Sequence, residues 1–364
     1  MEPIQLLPLQ TANYSVVRTS LPYVDTDLEI RSYLYAAFGA ITCISSTICI
    51  LVLSTRDLRE RYILFLALSL GDLLNGLSFV AAGVFRNLFM YHGSYYIHVT
   101  SAQCLLQTPW AVPMLFAGQF PALMNLFIAL ERVLALEFAE WYHNNWRPHH
   151  KLYLIFAAFM MTFMFFMFAV IINHTSTTLY TSRLCTVLNS TGIIYGTAHY
   201  ALISLTYIFC FIVLMTIFDR VNRLRIAFLN GLRLSVCSKQ TPSKEEEGRQ
   251  KMKLALTGLS VLLVSIPCIF MVMDEYGVPG INELITGIAY CLYAVHSVLS
   301  LVVYVVLRPD FRAQLVSLAG MQSFIRAEKL MKRRLATHSE GDKSYFSFNS
   351  QSSHTDHQWI SHSQ

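Results

Sequence analysis

The chain has 364 residues, 54% of them hydrophobic and only 13% charged, about half the charged share of an ordinary soluble domain. Its formal net charge is +5, carried by 27 basic and 22 acidic residues. So little charge on so much apolar sequence argues against a water-soluble globule or a nucleic-acid binder, and leaves room for one helical bundle.

Residues 1–31 carry Glu2, Asp25, Asp27 and Glu29 and lack a basic stretch followed by an apolar core. They read as an extracellular N-terminal segment, with the first span acting as its own insertion signal. Seven stretches nearly free of charge follow: Ser32–Thr55, Tyr62–Phe85 (containing only Asp72), Asn87–Leu130, Leu152–Ser182, Leu184–Phe218, Leu254–Met273 and Leu284–Leu307. Each reaches the roughly 20 residues that an α-helix needs to cross about 30 Å of hydrocarbon. The expected fold is an all-α membrane protein, a seven-transmembrane helix bundle over residues 32–307. Residues 308–336 read as a membrane-proximal segment that opens with a short amphipathic eighth helix, its basic run from Arg326 to Leu335 lying on lipid headgroups. Residues 337–364, rich in Ser, His and Gln, read as a disordered cytoplasmic tail.

Orientation follows from charge. With the N-terminus outside, Arg18, Arg31, Arg86 and Arg183 are the outer basic residues, and the other 23 of 27 face the cytoplasm. The three sequons, at Asn13, Asn173 and Asn189, fall on the same outer side and are candidate glycosylation sites. Of eight cysteines, only Cys104 and Cys185 lie where an oxidising compartment would meet them. One disulfide is expected there, the alternative being two free thiols. Cys237 is a weak candidate for palmitoylation.

Four features, in this order on seven spans, resemble the rhodopsin class of G-protein-coupled receptors: Leu68-Ser69-Leu70-Gly71-Asp72 in the second span, Glu131-Arg132-Val133 closing the third, Pro267 in the sixth, and Tyr304 followed by Phe311 and Arg312 after the seventh. The cysteine pair agrees. Departures are equally clear. Cys104 and Arg132 are 28 residues apart, about one helical turn more than usual, and Pro109, Pro113 and Pro121 crowd that span, which predicts a bend or break. Ser265 stands in place of the sixth-span tryptophan, and Ser300 to Tyr304 replaces Asn-Pro-x-x-Tyr. With the run Ala129 to Tyr142 and the Gly83–Arg86 close of the second span, this pattern resembles the nematode serpentine chemoreceptors of the srsx or srxa type.

The resemblance implies an extracellular ligand, a heterotrimeric G protein as partner, an arrestin-like partner for phosphorylated Ser344, Ser347, Ser350, Ser352 and Ser353, and a place in the plasma membrane, which for a chemoreceptor includes that of a sensory cilium. Arg132 is then the switch residue, held at rest by carboxylates: Glu131 beside it and Glu247, which lies about 30 Å along a helix before Pro267. Against that stands a solvated helix start at Glu245–Glu247. Pro267 offers a hinge and Tyr304 a polar latch or an ordinary belt aromatic. Asp72, alone inside a span, is read with Ser297 and Ser300 either as a sodium site or as a protonated structural acid. No other cofactor is expected.

Met114 stands where amine receptors of the family carry an aspartate, which disfavours amines. Met114, Gln119, His199, Cys268, Tyr290 and Tyr293 make a mostly apolar candidate pocket suited to a neutral or amphipathic small molecule, with Arg86 and Arg183 at its rim able to meet an anionic group or peptide terminus. No nucleophile elbow, zinc-protease or phosphate-loop pattern occurs, so no enzyme is expected. A seven-span transporter or ligand-gated channel is the alternative; it would usually show internal repeats and more polar residues at mid-membrane.

Overall fold

A computed structural model describes residues 26–174, 179–180, 183–229, 244–276, 283–318 and 320. Among them run α1 (Thr26–Leu53), α2 (Arg56–Tyr91), β1 (Val99–Thr100), α3 (Ser101–Gln107), α4 (Ala111–Glu137), α5 (Ala139–Asn145), α6 (Pro148–His174), β2 (Leu179–Tyr180), α7 (Val187–Thr191), α8 (Ile193–Leu229), α9 (Lys244–Ser260), a π-helical turn (Val261–Ser265), α10 (Ile266–Glu275), α11 (Glu283–Leu307) and α12 (Pro309–Leu318). Seven helical segments are long and apolar enough to cross a membrane. The chain is a multi-pass, all-α membrane protein of seven spans.

Burial sorts the spans. In α4 67% of the apolar window is buried inside the bundle, against 17% in α6. The central helix therefore carries the polar machinery, while α6 turns Phe156, Phe159, Met164, Phe168 and Ile171 outward. In water that outward face would be a large uncovered apolar patch; in hydrocarbon it is matched by its solvent. The α1–α2 pair packs through small residues. A methyl group at Gly76 would press on the Cys43 backbone nitrogen at 2.9 Å, and one at Gly39 on the Val80 nitrogen at 2.7 Å. Glycine at these two crossing points lets the backbones touch, which in lipid replaces the hydrophobic driving force.

The prolines of the third stretch act where the sequence leads one to expect. Pro109 falls in the break between α3 and α4. Pro113 sits in the first turn of α4, where backbone N–H groups have no helical partner to lose, and Pro121 is carried inside the helix. Asn87–Leu130 is thus not one helix. It holds the end of α2, a turn, β1, α3 and most of α4. The helix α3 starts on a reciprocal capping box between Thr100 and Gln103, and β1 pairs antiparallel with β2.

Cys104 on α3 is bonded to Cys185. Cys185 has φ of 44°, a left-handed conformation that a non-glycine residue adopts at a cost of roughly 1 kcal/mol. The bond to Cys104 and a hydrogen bond from the Trp110 indole to the Cys185 carbonyl (3.0 Å) hold it there. The segment from Leu184 to Leu188 is thereby laid across the same end of the bundle as the start of α1.

Near its middle, the sixth span widens into the π turn just before Pro267. Proline supplies no N–H and its ring crowds the carbonyl four residues earlier, so a wider turn relieves both faults. Two reciprocal hydrogen bonds, Ser204 Oγ to Ser265 O (3.2 Å) and Ser265 Oγ to Ser204 O (3.4 Å), fasten the turn to α8. Below the seventh span, α12 is the expected short eighth helix, its Phe311 buried in a stack with Tyr304 at 5.4 Å.

Candidate functional site

The bundle carries polar chemistry at both ends and a thread of hydrogen bonds between them. At the end opposite the disulfide, Glu131 is the hub. Its side chain is 1% exposed, which water alone cannot stabilise as an anion, and cations surround it. Lys253 Nζ of α9 lies 3.7 Å from Oε2, Arg132 of α4 itself 3.6 Å from the same oxygen, and Lys151 of α6 3.9 Å from Oε1. Tyr142 of α5 donates to Oε1 at 3.0 Å. One carboxylate therefore gathers four helices. Lys253 is the most deeply placed cation, at 3% exposure against 15% for Arg132 and 18% for Lys151, and its ammonium also lies over the Phe65 ring at 5.5 Å.

The expected pairing of Arg132 with Glu131 is present at 3.6 Å. Among the described residues, the sixth-span partner of Glu131 is Lys253. The Glu247 side chain lies outside the described residues. Lys253, Lys151 and Tyr142 are not marked by the resemblance, which points only to carboxylates around Arg132. Lys253 was nonetheless legible, as the last basic residue before the sixth span, about four turns ahead of Pro267.

Nearby, Arg308 binds Asp310 through two nitrogens (3.0 and 2.7 Å), Tyr62 donates to the same carboxylate at 2.9 Å, and the guanidinium lies 4.9 Å from the Tyr62 ring centre. This ties the start of α2 to α12. Tyr304 is buried beneath it, edge-on to Phe65 and stacked on Phe311.

At mid-bundle, Ser297 of α11 donates to Asp72 of α2 at 2.8 Å. Ser300 does not join them; its hydroxyl turns to the His296 carbonyl at 3.1 Å, and His296 in turn meets Ser260 of α9 at 2.8 Å. A hard cation takes about six oxygens. Asp72 and Ser297 bring a carboxylate and a hydroxyl together here, Ser300 turns away, and no step below passes through a metal cation. The arrangement suits a hydrogen-bonded acid that links α2 to α11.

At the disulfide end a cavity of about 180 Å³ opens between α1, α2, α4, α10, α11 and the Leu184–Leu188 segment. Met114 and Tyr290 of the expected pocket line it, and both also line a second, smaller cavity of about 20 Å³ together with His199, Tyr293 and Asn75. Gln119 and Cys268 are not on the cavity wall. Gln119 donates to Tyr195 at 3.2 Å, and Cys268 bonds the Tyr293 hydroxyl. The two expected rim arginines separate. Arg183 lies over Phe89 at 5.5 Å, outside the cavity wall, whereas Arg86 is in the wall and only 3% exposed.

Of the sequons, Asn13 lies outside the described residues. Asn189 is partly exposed beside the cavity. Asn173 is 1% exposed and its Nδ2, the nitrogen a glycan would take, donates to Ser190 O at 3.1 Å, so it is not placed as an acceptor. The basic run, Cys237 and the tail serines lie outside the described residues. Neither a protein-family model nor a curated protein sequence matches this chain.

Proposed function

We propose that this chain is a G-protein-coupled receptor of the plasma membrane, with its disulfide end outside, that binds a small extracellular molecule and promotes nucleotide exchange on a heterotrimeric G protein. A chemosensory role follows from the resemblance of the sequence to serpentine chemoreceptors. The observation that carries the reading is the Glu131–Lys253 contact. It joins α4 to the helix that continues through the π turn and α10 up to Met271 and Asp274 on the cavity wall, about 30 Å away. A ligand that binds one arrangement of Met271 and Asp274 better than another biases that whole segment. The π turn and Pro267 are where it bends. Outward movement of α9 separates Lys253 from Glu131, loosens the cation cluster and frees Arg132 to meet a partner.

Arg132→Ala is expected to abolish ligand-evoked nucleotide exchange while surface level is unchanged. The measurement is a ligand screen in cells reporting on several co-expressed Gα classes, with surface labelling of each variant. Ligand-gated current in cells lacking G proteins, retained by Arg132→Ala, would overturn the reading in favour of a channel.

A further inference from the structure

We propose that the cavity at the disulfide end is an anion site, selective for small organic carboxylates, with Arg86 as the residue that grips the carboxylate. The proposal rests on reading this cavity as the ligand pocket, and replaces the neutral ligand that its apolar residues suggest with a small amphipathic anion.

Three observations carry it. First, Arg86 is 3% exposed within a spanning helix, near the end of α2, where a charged side chain is expensive to keep. Among the described residues it forms no ion pair, and its Nε has no hydrogen-bond acceptor. Its guanidinium lies over the rings of Tyr35 and Trp110, at 5.5 and 5.4 Å. The rings hold the cation in place but offer no charge to neutralise it. Second, the same side chain faces an open cavity rather than packed protein. A guanidinium presents a planar fork of donors that matches a carboxylate. Third, Arg31 of α1 lines the same cavity and is 8% exposed. Its stem lies where a Cβ at Gly287 would collide with Cδ, so the bare glycine of α11 makes room for a second basic side chain in the same wall.

Size and a carboxylate in the lining restrict the ligand further. The volume of about 180 Å³ is below the roughly 300–1,000 Å³ of clefts for drug-sized molecules. Asp274, fixed by a 2.8 Å hydrogen bond from Thr286, lines the same cavity and disfavours a dianion such as phosphate. Met114, Met271 and Tyr290 supply the apolar surface for the body of the ligand. A compact monocarboxylate meets all these demands.

The test is thermal unfolding and direct binding by the full chain in nanodiscs, against a panel of three- to eight-carbon aliphatic and aromatic carboxylates, each paired with its neutral amide, and against inorganic phosphate. At least one carboxylate is expected to raise Tm by about 3–5 °C at ten times its Kd, with no shift from its amide. Arg86→Gln is expected to weaken that carboxylate about 10–100-fold, and Arg86→Lys by less. Should Arg86→Gln fail to fold, Met114→Trp, which narrows the cavity and leaves Arg86 itself unchanged, is expected to abolish binding. The proposal is overturned if no carboxylate stabilises more than its amide, if phosphate stabilises as well as any carboxylate, or if binding survives both Arg86→Gln and Met114→Trp. A chain that drives nucleotide exchange with neutral ligands alone would sink the anion site and leave the receptor reading standing.

Discussion

Glu131→Gln is expected to lower the stability of the chain by about 3 kcal/mol, the low end of what removing one member of a buried ion pair costs. The glutamine keeps the shape and can still accept from Tyr142, so the loss isolates charge. Three cations within 4 Å of the carboxylate, at 3.6, 3.7 and 3.9 Å, then face a neutral amide and one another. Arg132 and Lys151 have side chains long enough to turn toward water. Lys253, at 3% exposure, cannot do so without moving α9. A second substitution, Lys253→Met, on the Glu131→Gln background should therefore recover more stability than Lys151→Met does. Thermal unfolding of the wild type and these three variants in nanodiscs compares the two recoveries directly. Equal recovery from both second substitutions would show that Lys253 is not the principal partner.

The Cys104–Cys185 bond is the other feature whose loss should be severe. It closes a loop of 81 residues, for which chain entropy alone gives about 4–5 kcal/mol. It also restrains Cys185 in its left-handed conformation and keeps the Leu184–Leu188 segment over the cavity. Cys104→Ser, Cys185→Ser and the double variant are expected to lose surface expression and Tm by the same amount, because each removes the same bond. Surface biotinylation with thermal unfolding measures both. A double variant clearly worse than either single one would mean that the two cysteines contribute separately, as packed thiols.

The helices were legible in the sequence because hydrocarbon imposes a single rule, about 20 residues almost without charge, and most of the stretches map onto one spanning helix each. The third did not. Between Asn87 and Leu130 no charge marks where the membrane ends, so the turn after α2, β1 and α3 were hidden inside an apolar run and only its prolines signalled a break. Arg86 shows the same limit from the other side. A charge near the end of an apolar stretch reads as a rim residue, but Tyr35 and Trp110, far away in sequence, draw it into the cavity wall. Side-chain direction was equally out of reach. Ser297 and Ser300 stand one turn apart on α11, yet one donates to Asp72 and the other back to its own helix. Lys253 is plain in position, but which carboxylate it meets is set by the packing of α9 against α4 and not by spacing along the chain.

The central claim is that the Glu131–Lys253 contact restrains the arrangement that drives a G protein. The most direct test is basal nucleotide exchange by purified heterotrimers of each Gα class, with the full chain in nanodiscs as wild type, as Lys253→Met, and as Lys253→Met combined with Arg132→Ala. Releasing the contact should raise exchange on at least one class about 5-fold or more, the scale of a 1 kcal/mol bias between two states. Adding Arg132→Ala should return the rate to that of empty nanodiscs. Exchange that stays at the empty-nanodisc rate for every variant and every Gα class would contradict the account.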